Sequence, residues 1–577
     1  MPQPPLTVLI LAGGSLGDKR LGPAPSLSDI PLDLADGSCL ARQRSLDHYN
    51  DQTDPPRIAL LRDSNQPSPR PHQMDAGFQL ITIPPQPSVI GSVRAALPEI
   101  TTPWLLLQPI TSLPSQPAHP ECWIELGEEA LPRENWSAVA EPCSSSPHFL
   151  NKLESPSQDP GPSHPFTGLL CAPTELLRAL IGRAPEQDSP DDQDLLNLAQ
   201  RLWNSGQARF RFTPWRDLGH RATYSRSRLS RLSSRGFNRV SYCSQRDLIR
   251  KCSSDTRRLQ EEAAYLDALP ASARRFFPSL LQPPRPVPGE AISCLELDYV
   301  PFPNLAELFL HWRIGANGWR TIMRRLAQIR RDLAAHEAQN NEVSDVSWLY
   351  SSKLTSRQQQ LQAHPPQLEP LLGLSWSHWW GSPLELQLLD RDAAPSGPPL
   401  QLPSPQTATA RLTTALAPLE TARPLQRIHG DLCFNNILAE PLSGSIRLID
   451  PRGEQPTGAH WPIGYGDPRY DLVKLLHSGR YLYDVVVNGL FHLTHQQHQL
   501  RLQLDVPTHH REVNAAMQTE LLGDQLSRDE ERLLTASLFL SMLPLHREDP
   551  LRCVVLTCIG VLILEQRFDA VIEAGQP

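Results

Sequence analysis

The sequence predicts a chain of two α/β domains. Its 577 residues exceed the roughly 250 to 300 residues beyond which one hydrophobic core stops growing. An apolar segment near the N-terminus, "LTVLIL", is followed directly by a glycine turn. Near Ser233 the sequence pattern changes, and it predicts a short strand-rich part followed by a longer helical part. We therefore predict an α/β domain over residues 1 to 225 and a two-lobed α+β domain over residues 233 to 577.

The composition is that of a globular, mildly acidic protein. Hydrophobic residues make up 40% of the chain and charged residues 20%, which is enough apolar material for packed cores. The formal net charge is -8 and the pI is near 6.2, so a general electrostatic attraction to nucleic acid or anionic lipid is missing. We expect no nucleic acid among the partners.

Signals for export, membrane insertion or zinc binding are not found in the sequence. The apolar run at residues 6 to 12 has no basic flank and is far shorter than the roughly 20 residues that span a bilayer. The ten cysteines form no C-x-x-C pair. We expect a cytoplasmic protein without membrane insertion, whose cysteines are buried thiols in a reducing environment.

The glycine turn of the N-terminal half has the layout of a phosphate-binding loop. In "LTVLILAGGSLGDKRLG" a strand candidate is followed by Gly13 and Gly14, and then by the basic residue Arg20. Glycines allow backbone N–H groups to approach an anion, and a following helix terminus adds partial positive charge. An ordinary strand-to-helix turn is the competing interpretation, and for an isolated Gly-Gly pair it is favoured.

This segment is similar to the opening of the sugar-nucleotidyltransferase family, whose L-A-G-G/A-x-G-x-R-L loop grips a nucleoside triphosphate. The resemblance implies a Rossmann-like nucleotidyltransferase-type domain over residues 1 to 225 in which Gly13, Gly14 and Arg20 bind the nucleotide. A later segment, "FTPWRDLGHR", resembles the W-x-D-x-G segment of the family and implies that Asp217 is a metal ligand.

Two other parts of that family's machinery are missing from the sequence. Where the family ends a strand with a metal-binding Asp, the segment "TPWLLLQPITSL" carries Gln108, Pro109 and Ile110. No Lys precedes Pro31 at the place of the family's P-K-P-type segment. Because one carboxylate holds Mg²⁺ less firmly than a pair, we expect a degenerate domain that binds a nucleotide or sugar and has lost or altered its transfer chemistry.

The second half contains a lysine and a helix carboxylate at kinase-like places. Lys251 lies in a strand-like segment and Glu262 in the helical segment that follows. In the kinase design a strand lysine contacts the nucleotide phosphates and a helix carboxylate holds it, although such a pair is by itself usually a solvated ion pair. A strand, a Pro-punctuated linker and a helix then follow. This layout predicts a small lobe over about residues 233 to 300 and a large lobe over about 301 to 577, with a Pro-rich insertion at about 382 to 405.

The stretch "RIHGDLCFNNILAEPLSGSIRLIDPRGE" concentrates the residue types needed to handle a nucleoside triphosphate and its metal. Asp431 stands at a tight turn, where its carboxylate can accept a hydrogen bond from an acceptor hydroxyl. Asn436 follows five residues later, and "SIRLID" ends in Asp450, so a β-hairpin would bring a catalytic base and two Mg²⁺ ligands to one side. A lone H-G-D is usually a capped turn, but the whole combination makes that interpretation much weaker.

The pattern H-G-D-x-x-x-x-N-I-L followed by I-D is similar to the signature of the aminoglycoside phosphotransferase and choline kinase-like superfamily. The segment "GYGDPRYDLVKLLHS" resembles the G-D-P-x-Y-D-L helix start of the same superfamily. The resemblance implies a protein kinase-like phosphotransferase fold, with ATP and Mg²⁺ as cofactors. The site residues that it implies are Asp431 as the catalytic residue, Lys251 and Glu262 for the phosphates, Asn436 and Asp450 for the metal, and His429 and Asp471 as supports of the catalytic loop.

Arg452 departs from the drug-modifying relatives, which often have Trp and Glu after the metal-binding Asp. It can bind an anionic substrate group or be an ordinary surface arginine, and the sequence does not choose between the two. The whole chain resembles kinase-type proteins of capsule and surface-glycan synthesis, which implies a sugar or sugar-like alcohol as small-molecule acceptor and a nucleotide as second ligand. Two alternatives stay open: a bifunctional sugar kinase and nucleotidyltransferase, or a non-catalytic binding scaffold.

Overall fold

The structure is a computed structural model that describes most of the chain, with gaps. The ranges are 4–11, 31–33, 39–40, 48–49, 52, 54–64, 79–86, 88–110, 112, 114–128, 137–144, 146–151, 163–182, 195–215, 238–243, 245–312, 314–334, 343–390, 393–440, 443–496, 499–523 and 525–575. The described residues at 4–11 and from 39 to 215 belong to one compact unit, and those from 238 onward belong to a second.

The N-terminal unit is built on a mixed, mostly parallel sheet. The strands of this part of the chain are β1 (Leu6–Leu11), β2 (Pro31–Asp33), β3 (Cys39–Leu40), β4 (Arg57–Asp63), β5 (Gln79–Ile83), β6 (Trp104–Pro109), β7 (Trp123–Gly127), β8 (Ala138–Ala140), β9 (His148–Leu150), β10 (His164–Pro173) and β11 (Arg209–Thr213). The main sheet has the order β5-β4-β1-β6-β10-β7-β11, with β10 antiparallel to both neighbours and the other pairs parallel. Strand β8 pairs with β9 and β10, and β2 pairs with β3.

Helices pack apolar faces against this sheet. They are α1 (Val89–Ala96), α2 (Thr174–Gly182) and α3 (Leu195–Asn204). All six residues of β1 are buried, as expected for a central parallel strand whose two faces are both covered. Val93 of α1, Leu177 of α2 and Leu202 of α3 belong to the same buried cluster as Leu9 of β1. The Rossmann-like α/β class predicted for the N-terminal half is confirmed.

The C-terminal unit begins with a small antiparallel lobe. Its elements are β12 (Asn238–Cys243), β13 (Leu248–Ser253), α4 (Thr256–Asp267), α5 (Ala271–Arg274), β14 (Leu280–Pro286) and β15 (Ser293–Asp298), and the strand order is β12-β13-β15-β14. Helix α4 begins after Asp255, whose carboxylate accepts a hydrogen bond from the Arg258 backbone N–H at 3.2 Å. An aspartate at this position satisfies an otherwise unpaired helix donor. The cap thereby fixes where α4 starts and which of its residues face the sheet.

The remaining elements form a mostly helical large lobe. They are α6 (Leu305–His311), α7 (Ala316–Ala334), β16 (Val343–Ser344), α8 (Ser351–Ala363), α9 (Glu369–Leu372), α10 (Trp376–Gly381), β17 (Leu384–Leu388), β18 (Leu400–Leu402), α11 (Pro405–Leu416), β19 (Arg423–Pro424), β20 (Gln426–Arg427), β21 (Ile437–Glu440), β22 (Ser445–Leu448), β23 (Tyr465–Gly466), α12 (Pro468–Gly479), α13 (Tyr483–Val487), β24 (Phe491–Gln496), β25 (Gln499–Leu504), α14 (His510–Met517), α15 (Arg528–Ser541), α16 (Pro550–Leu564) and α17 (Asp569–Gly575).

Helix α16 contains the apolar run "CVVLTCIGVLIL". Every residue from Cys553 to Leu564 is buried, and α16 packs on α15. Within the described part of the chain, no helix combines the length and the apolar character needed to cross a membrane.

The large lobe contains a four-stranded sheet in a part of the chain where strands were not expected. The Pro-rich insertion supplies β17 and β18, which join the hairpin β24–β25 in the order β18-β17-β25-β24. Beyond about residue 490 the general character of the sequence favours helices, and this prediction is wrong for residues 491 to 504, which supply both strands of the hairpin. The reason is a period of two: Leu500, Leu502 and Leu504 are buried and alternate with half-buried polar residues, which is the pattern of a strand with one covered face.

Two cysteines also differ from expectation. The antiparallel register of β13 and β15 places Cys252 directly opposite Cys294, and the two form a disulfide with their Cα atoms 4.0 Å apart. The prediction that the cysteines are all free thiols was therefore wrong for this pair. Their separation of 42 residues in the chain hides the pairing from any local motif.

Candidate active site

The predicted catalytic loop, residues 429 to 431, depends on the glycine between His429 and Asp431. Gly430 has φ 78°, and a Cβ there would lie 2.9 Å from the Cβ of Arg452. Any other residue would meet both a left-handed backbone conformation and this close neighbour. The glycine therefore allows the catalytic loop to lie directly against the loop that carries Arg452.

Buried groups hold this loop from below. Asp471, in the first turn of α12, accepts hydrogen bonds from the backbone N–H groups of His429 at 2.7 Å and Gly430 at 3.0 Å. The His429 ring lies within hydrogen-bond distance of the Ile449 carbonyl through Nε2, at 3.0 Å, and of the Asp431 N–H through Nδ1, at 3.3 Å. Burial lowers the pKa of His429, which fits a neutral ring that donates through Nε2 and accepts through Nδ1. Both residues thus lie where a support of the loop is expected.

The hairpin β21–β22 leads from the catalytic loop to Asp450. Its strands pair in antiparallel fashion from Ile437 opposite Leu448 to Glu440 opposite Ser445, which confirms the hairpin predicted from the sequence. The Asn436 side-chain NH₂ donates to the Asp431 carbonyl at 2.8 Å. Because the nitrogen is committed to that carbonyl, the amide oxygen is the atom of Asn436 that is left to act as a ligand.

Lys251 links the small lobe to the large lobe. Its Nζ lies 2.5 Å from Glu262 Oε2 on α4 and 2.5 Å from Asp450 Oδ1. Burial lowers the pKa of Lys251, but the two carboxylates outweigh burial and raise it above the usual value. Lys251 therefore stays charged, and the structure brings together the lysine, the helix carboxylate and the metal-loop carboxylate named from the sequence.

Asp450 has a backbone conformation that is uncommon outside glycine. Its φ is 57°, in the left-handed region that is found mostly in turns and at functional positions. The carboxylate is 25% exposed and accepts from Lys251 through Oδ1 and from Arg452 through Oδ2, the latter at 2.7 Å. The chain thus holds a partly accessible carboxylate in place and surrounds it with cations.

Arg452 is not a surface arginine. Its side chain is 15% exposed, and Nη2 lies 3.1 Å from Asp431 Oδ2 as well as 2.7 Å from Asp450 Oδ2. One guanidinium therefore bridges the predicted catalytic carboxylate and the predicted metal carboxylate. The role of substrate anion contact that the sequence left open for Arg452 stays a proposal.

Asp431 is held between two cations. Besides Arg452, the ammonium of Lys474 lies 3.0 Å from Asp431 Oδ1. Burial raises the pKa of Asp431, but the charge and hydrogen bond of Lys474 outweigh it and hold the pKa below its usual value. Asp431 is therefore an ionised hydrogen-bond acceptor and a weak proton acceptor.

Lys353 and Lys474 are parts of this site that the sequence reasoning missed. Lys353, on α8, lies 3.2 Å from the Tyr470 hydroxyl and 3.7 Å from Glu454 Oε2. The missed signal is compositional: lysine accounts for only five of the 54 Lys and Arg residues, at positions 19, 152, 251, 353 and 474. All three lysines of the C-terminal unit lie at this site, and every other described basic residue is an arginine.

The donor set suits a magnesium nucleotide. Carboxylate and amide oxygens, here of Asp450 and Asn436, are the protein ligands that Mg²⁺ takes in nucleotide sites. Both oxygens of Asp450 already attract cationic groups, so the position favours positive charge. The ammonium of Lys251, next to Asp450, is a group that can neutralise phosphate oxygens.

In the N-terminal unit the central strand β6 ends in neutral residues, whereas β22 of the C-terminal unit leads to the carboxylate of Asp450. The amide of Gln108 is buried, accepts from the Tyr49 hydroxyl at 2.6 Å through Oε1, and donates to the Ser112 carbonyl at 3.1 Å. Pro109 fills the next position, where a Cβ on Gly168 would lie 2.5 Å from its Cγ. This strand end is a packed, hydrogen-bonded interior and carries no carboxylate. The other residues named for this unit, Gly13, Gly14, Arg20 and Asp217, lie outside the described residues.

No protein-family model matches this chain, and no curated protein matches it. Among solved structures, a thermostable mutant of an aminoglycoside phosphotransferase is similar to the C-terminal part at 13% identity, covers 58% of this chain and 93% of its own, and has a TM-score of 0.34.

Two nucleotidyltransferases are similar to the N-terminal part. They are UDP-glucose pyrophosphorylase of Acinetobacter baumannii, with 13% identity, 39% and 92% coverage and a TM-score of 0.30, and a CMP:2-keto-3-deoxy-manno-octonic acid synthetase complexed with CTP, with 12% identity, 39% and 97% coverage and a TM-score of 0.27. What the site can do is inferred from its own geometry.

Proposed function

We propose that the C-terminal unit is an ATP- and Mg²⁺-dependent phosphotransferase that acts on a hydroxyl of a small molecule. The observation that carries the proposal is the contact set around Asp450: Lys251 at 2.5 Å and Arg452 at 2.7 Å, with Arg452 also 3.1 Å from Asp431. These charges come from three separate parts of the chain. A structural ion pair would need only one partner for each charge, whereas phosphoryl transfer needs cations beside the phosphates and a carboxylate beside the acceptor.

Each residue has a distinct task in this proposal. Lys251, held by Glu262, contacts the phosphates, and Asp450 with Asn436 holds the metal. Bound Mg²⁺ supplies charge neutralisation on the phosphate oxygens. Asp431 accepts a hydrogen bond from the acceptor hydroxyl and orients its oxygen toward the γ-phosphorus. Because Lys474 keeps Asp431 weakly basic, Asp431 acts mainly by orientation. It takes up the hydroxyl proton late, when the new bond to the γ-phosphorus is largely formed and ADP leaves, as a loose transition state permits.

The acceptor class is a sugar or sugar-like alcohol in this proposal. The choice of this acceptor class is motivated by the sequence resemblance of the N-terminal half to sugar nucleotidyltransferases. The product would serve as a precursor of a nucleotide-activated sugar for surface polysaccharide.

A ³¹P NMR experiment tests the proposal. The full chain is incubated with ATP, Mg²⁺ and pooled sugars, sugar acids, sugar phosphates and amino alcohols, and new phosphate ester signals are followed. We expect ester formation that needs Mg²⁺ and falls at least tenfold in Lys251→Met. A matched control is Arg411→Gln on α11, which removes an exposed cation that pairs with Glu565 at 3.6 Å. ATP turnover that is equal in wild type and Lys251→Met would refute the proposed role of the site.

For the N-terminal unit we infer a binding role without nucleotidyl transfer. The hydrogen-bonded amide of Gln108 favours a binding role, because it stands where a second carboxylate would help to hold the metal for in-line attack on an α-phosphate, and one carboxylate holds Mg²⁺ less firmly than a pair. The full chain, incubated with each nucleoside triphosphate, Mg²⁺ and sugar 1-phosphates, should release no pyrophosphate. Pyrophosphate release that disappears in Asp217→Ala would establish the bifunctional alternative instead.

A further inference from the structure

We infer that the phosphoryl acceptor carries an anionic group, a carboxylate or a phosphate, which binds the ammonium of Lys353 beside Asp431. The inference rests on the proposed phosphotransferase function and names the chemical class of its substrate.

Lys353 reaches the acceptor side of the site from α8. Its Nζ lies 3.2 Å from the Tyr470 hydroxyl and 5.4 Å from the centre of the Tyr470 ring. Lys474 approaches the same ring at 5.9 Å and donates to Asp431 at 3.0 Å. The two ammonium groups therefore flank one tyrosine, and the second of them holds the residue that orients the acceptor hydroxyl.

Three other cations in the site have closer carboxylate partners than Lys353 has. Lys251 contacts two carboxylates, Arg452 contacts two, and Lys474 contacts Asp431, all at 3.1 Å or less. By contrast, the carboxylate nearest to Lys353 in the described part of the chain is Glu454, at 3.7 Å and with 56% of its side chain exposed.

Lys353 is both charged and accessible. Burial lowers its pKa, but the Tyr470 hydroxyl and the Glu454 carboxylate outweigh burial and raise it above the usual value. Its side chain keeps 27% of its surface exposed. An accessible ammonium in a partly desolvated place, with one loosely held carboxylate, gains free energy when an anion of a ligand joins it.

The choice of residue supports a specific contact. With five lysines among 54 basic residues, a basic position in this chain is a lysine about one time in eleven. Lys251 and Lys474 each contact a site carboxylate, and Lys353 is the third lysine of the unit. A lysine presents a compact point charge that can meet a single oxygen, whereas arginine presents a planar fork.

The same charges disfavour other acceptors. An amino sugar or amino alcohol would bring a third positive charge next to Lys353 and Lys474 and would be repelled. A neutral polyol could donate its hydroxyl to Asp431 but would leave Lys353 without its anion. A sugar acid or a sugar phosphate satisfies both groups at once.

The first arm of the test measures selectivity with the full chain. Acceptors are compared as matched sets: glycerol with glycerate and glycerol 3-phosphate, and glucose with glucuronate and glucose 1-phosphate. We expect kcat/KM to be at least tenfold higher for an anionic member than for its neutral counterpart, and to fall at least tenfold in Lys353→Gln while Lys353→Arg retains more of it. Preference for the neutral members would overturn the inference, and comparison of the two anionic members separates carboxylate from phosphate.

The second arm measures binding and does not require turnover. Reductive ¹³C-methylation labels the five lysines and the N-terminus, and the Lys353 resonance is assigned by its loss in Lys353→Arg. We expect a saturable shift of that resonance with glucuronate or inorganic phosphate and none with glucose. Absence of the shift overturns the anion site. An anion-dependent shift without any Lys251-dependent ATP turnover would instead reject the phosphotransferase proposal and leave the anion site standing.

Discussion

Strands β6 and β22 of this molecule end in opposite ways. In the N-terminal unit β6 ends at Gln108, whose amide is satisfied by Tyr49 and Ser112. In the C-terminal unit β22 leads to Asp450, which has a left-handed backbone and contacts a lysine 199 residues away in the chain. A polar residue at a strand end is therefore not by itself a site. What separates the two strand ends is whether the partners of the polar residue are neutral groups, as at Gln108, or charged side chains, as at Asp450.

Of the variants that test this contrast between Asp450 and Gln108, Asp450→Asn should have the largest effect on turnover. The change keeps the volume and removes the charge that would hold the metal. Mg²⁺-dependent ATP turnover should therefore fall several hundredfold, since losing a principal electrostatic contact costs roughly 3 to 4 kcal/mol. Steady-state kinetics measure the loss, and circular dichroism with thermal unfolding checks that the fold is retained. Near-wild-type turnover would remove Asp450 from the mechanism.

Asp431→Asn should have the next largest effect. An amide can still pack against Lys474 and Arg452 but no longer accepts the hydroxyl hydrogen bond as an anion, and phosphoryl transfer should fall about a hundredfold, at the lower end of the range for groups of this kind. ATP affinity, measured by calorimetry, should change little. A collapse of ATP affinity with normal transfer per bound nucleotide would reassign Asp431 to the nucleotide side.

A smaller, pH-dependent effect is expected for Lys474→Met. Lys474 holds the pKa of Asp431 below its usual value, so the wild type keeps Asp431 ionised in mild acid. Without the ammonium, burial dominates and the pKa rises, which should move the acid limb of the kcat profile to higher pH. The stability contributed by ionised Asp431, present above its unfolded pKa and lost as pH falls through the lower folded pKa, should shrink as well.

Lys474→Arg is the matched variant for that experiment. It keeps the positive charge and should leave the acid limb close to the wild-type position. An unchanged pH profile in Lys474→Met would show that another group, such as Arg452, sets the ionisation of Asp431.

The smallest expected effect on turnover belongs to Gln108→Leu. The change leaves the Tyr49 hydroxyl and the Ser112 carbonyl without this partner, and it should destabilise the N-terminal unit by about 1 to 3 kcal/mol. ATP turnover should be unaffected at temperatures where both units are folded. Denaturant unfolding measures the cost, and Tyr49→Phe in a double-mutant cycle shows whether the two side chains are coupled. A Gln108→Leu variant of full stability would mean that the amide does not stabilise the N-terminal unit.

Motif spacing predicted most of the cluster around Asp450. Asp431, Asn436 and Asp450 lie within twenty residues of one another, and a β-hairpin is enough to bring them to one side. The approach of Lys251 could be predicted only through the kinase-like order of strand and helix, because its contact with Asp450 crosses between the lobes.

The missed residues were missed for different physical reasons. Lys474 lies three residues after Asp471 on α12, so helix periodicity places the two on one face, and the motif already contained it. Lys353 comes from a helix far upstream with no motif of its own, and only the scarcity of lysine indicates it. The Cys252–Cys294 pair depends on strand register, which local patterns do not fix.

The close approach of Gly430 to Arg452 has a mechanical consequence. The Arg452 N–H donates to the His429 carbonyl at 2.8 Å, the Ile449 carbonyl meets the His429 ring at 3.0 Å, and the Arg452 side chain joins both carboxylates. The segment with Asp450 is therefore bonded to the segment with Asp431 through backbone as well as side chains. Moving the Asp450 segment away from the Asp431 segment would break all of these hydrogen bonds and ion pairs at once, so the two segments should move together as one rigid block. Control of such an enzyme would then act on the distance between Lys251 and this block, by opening and closing the lobes.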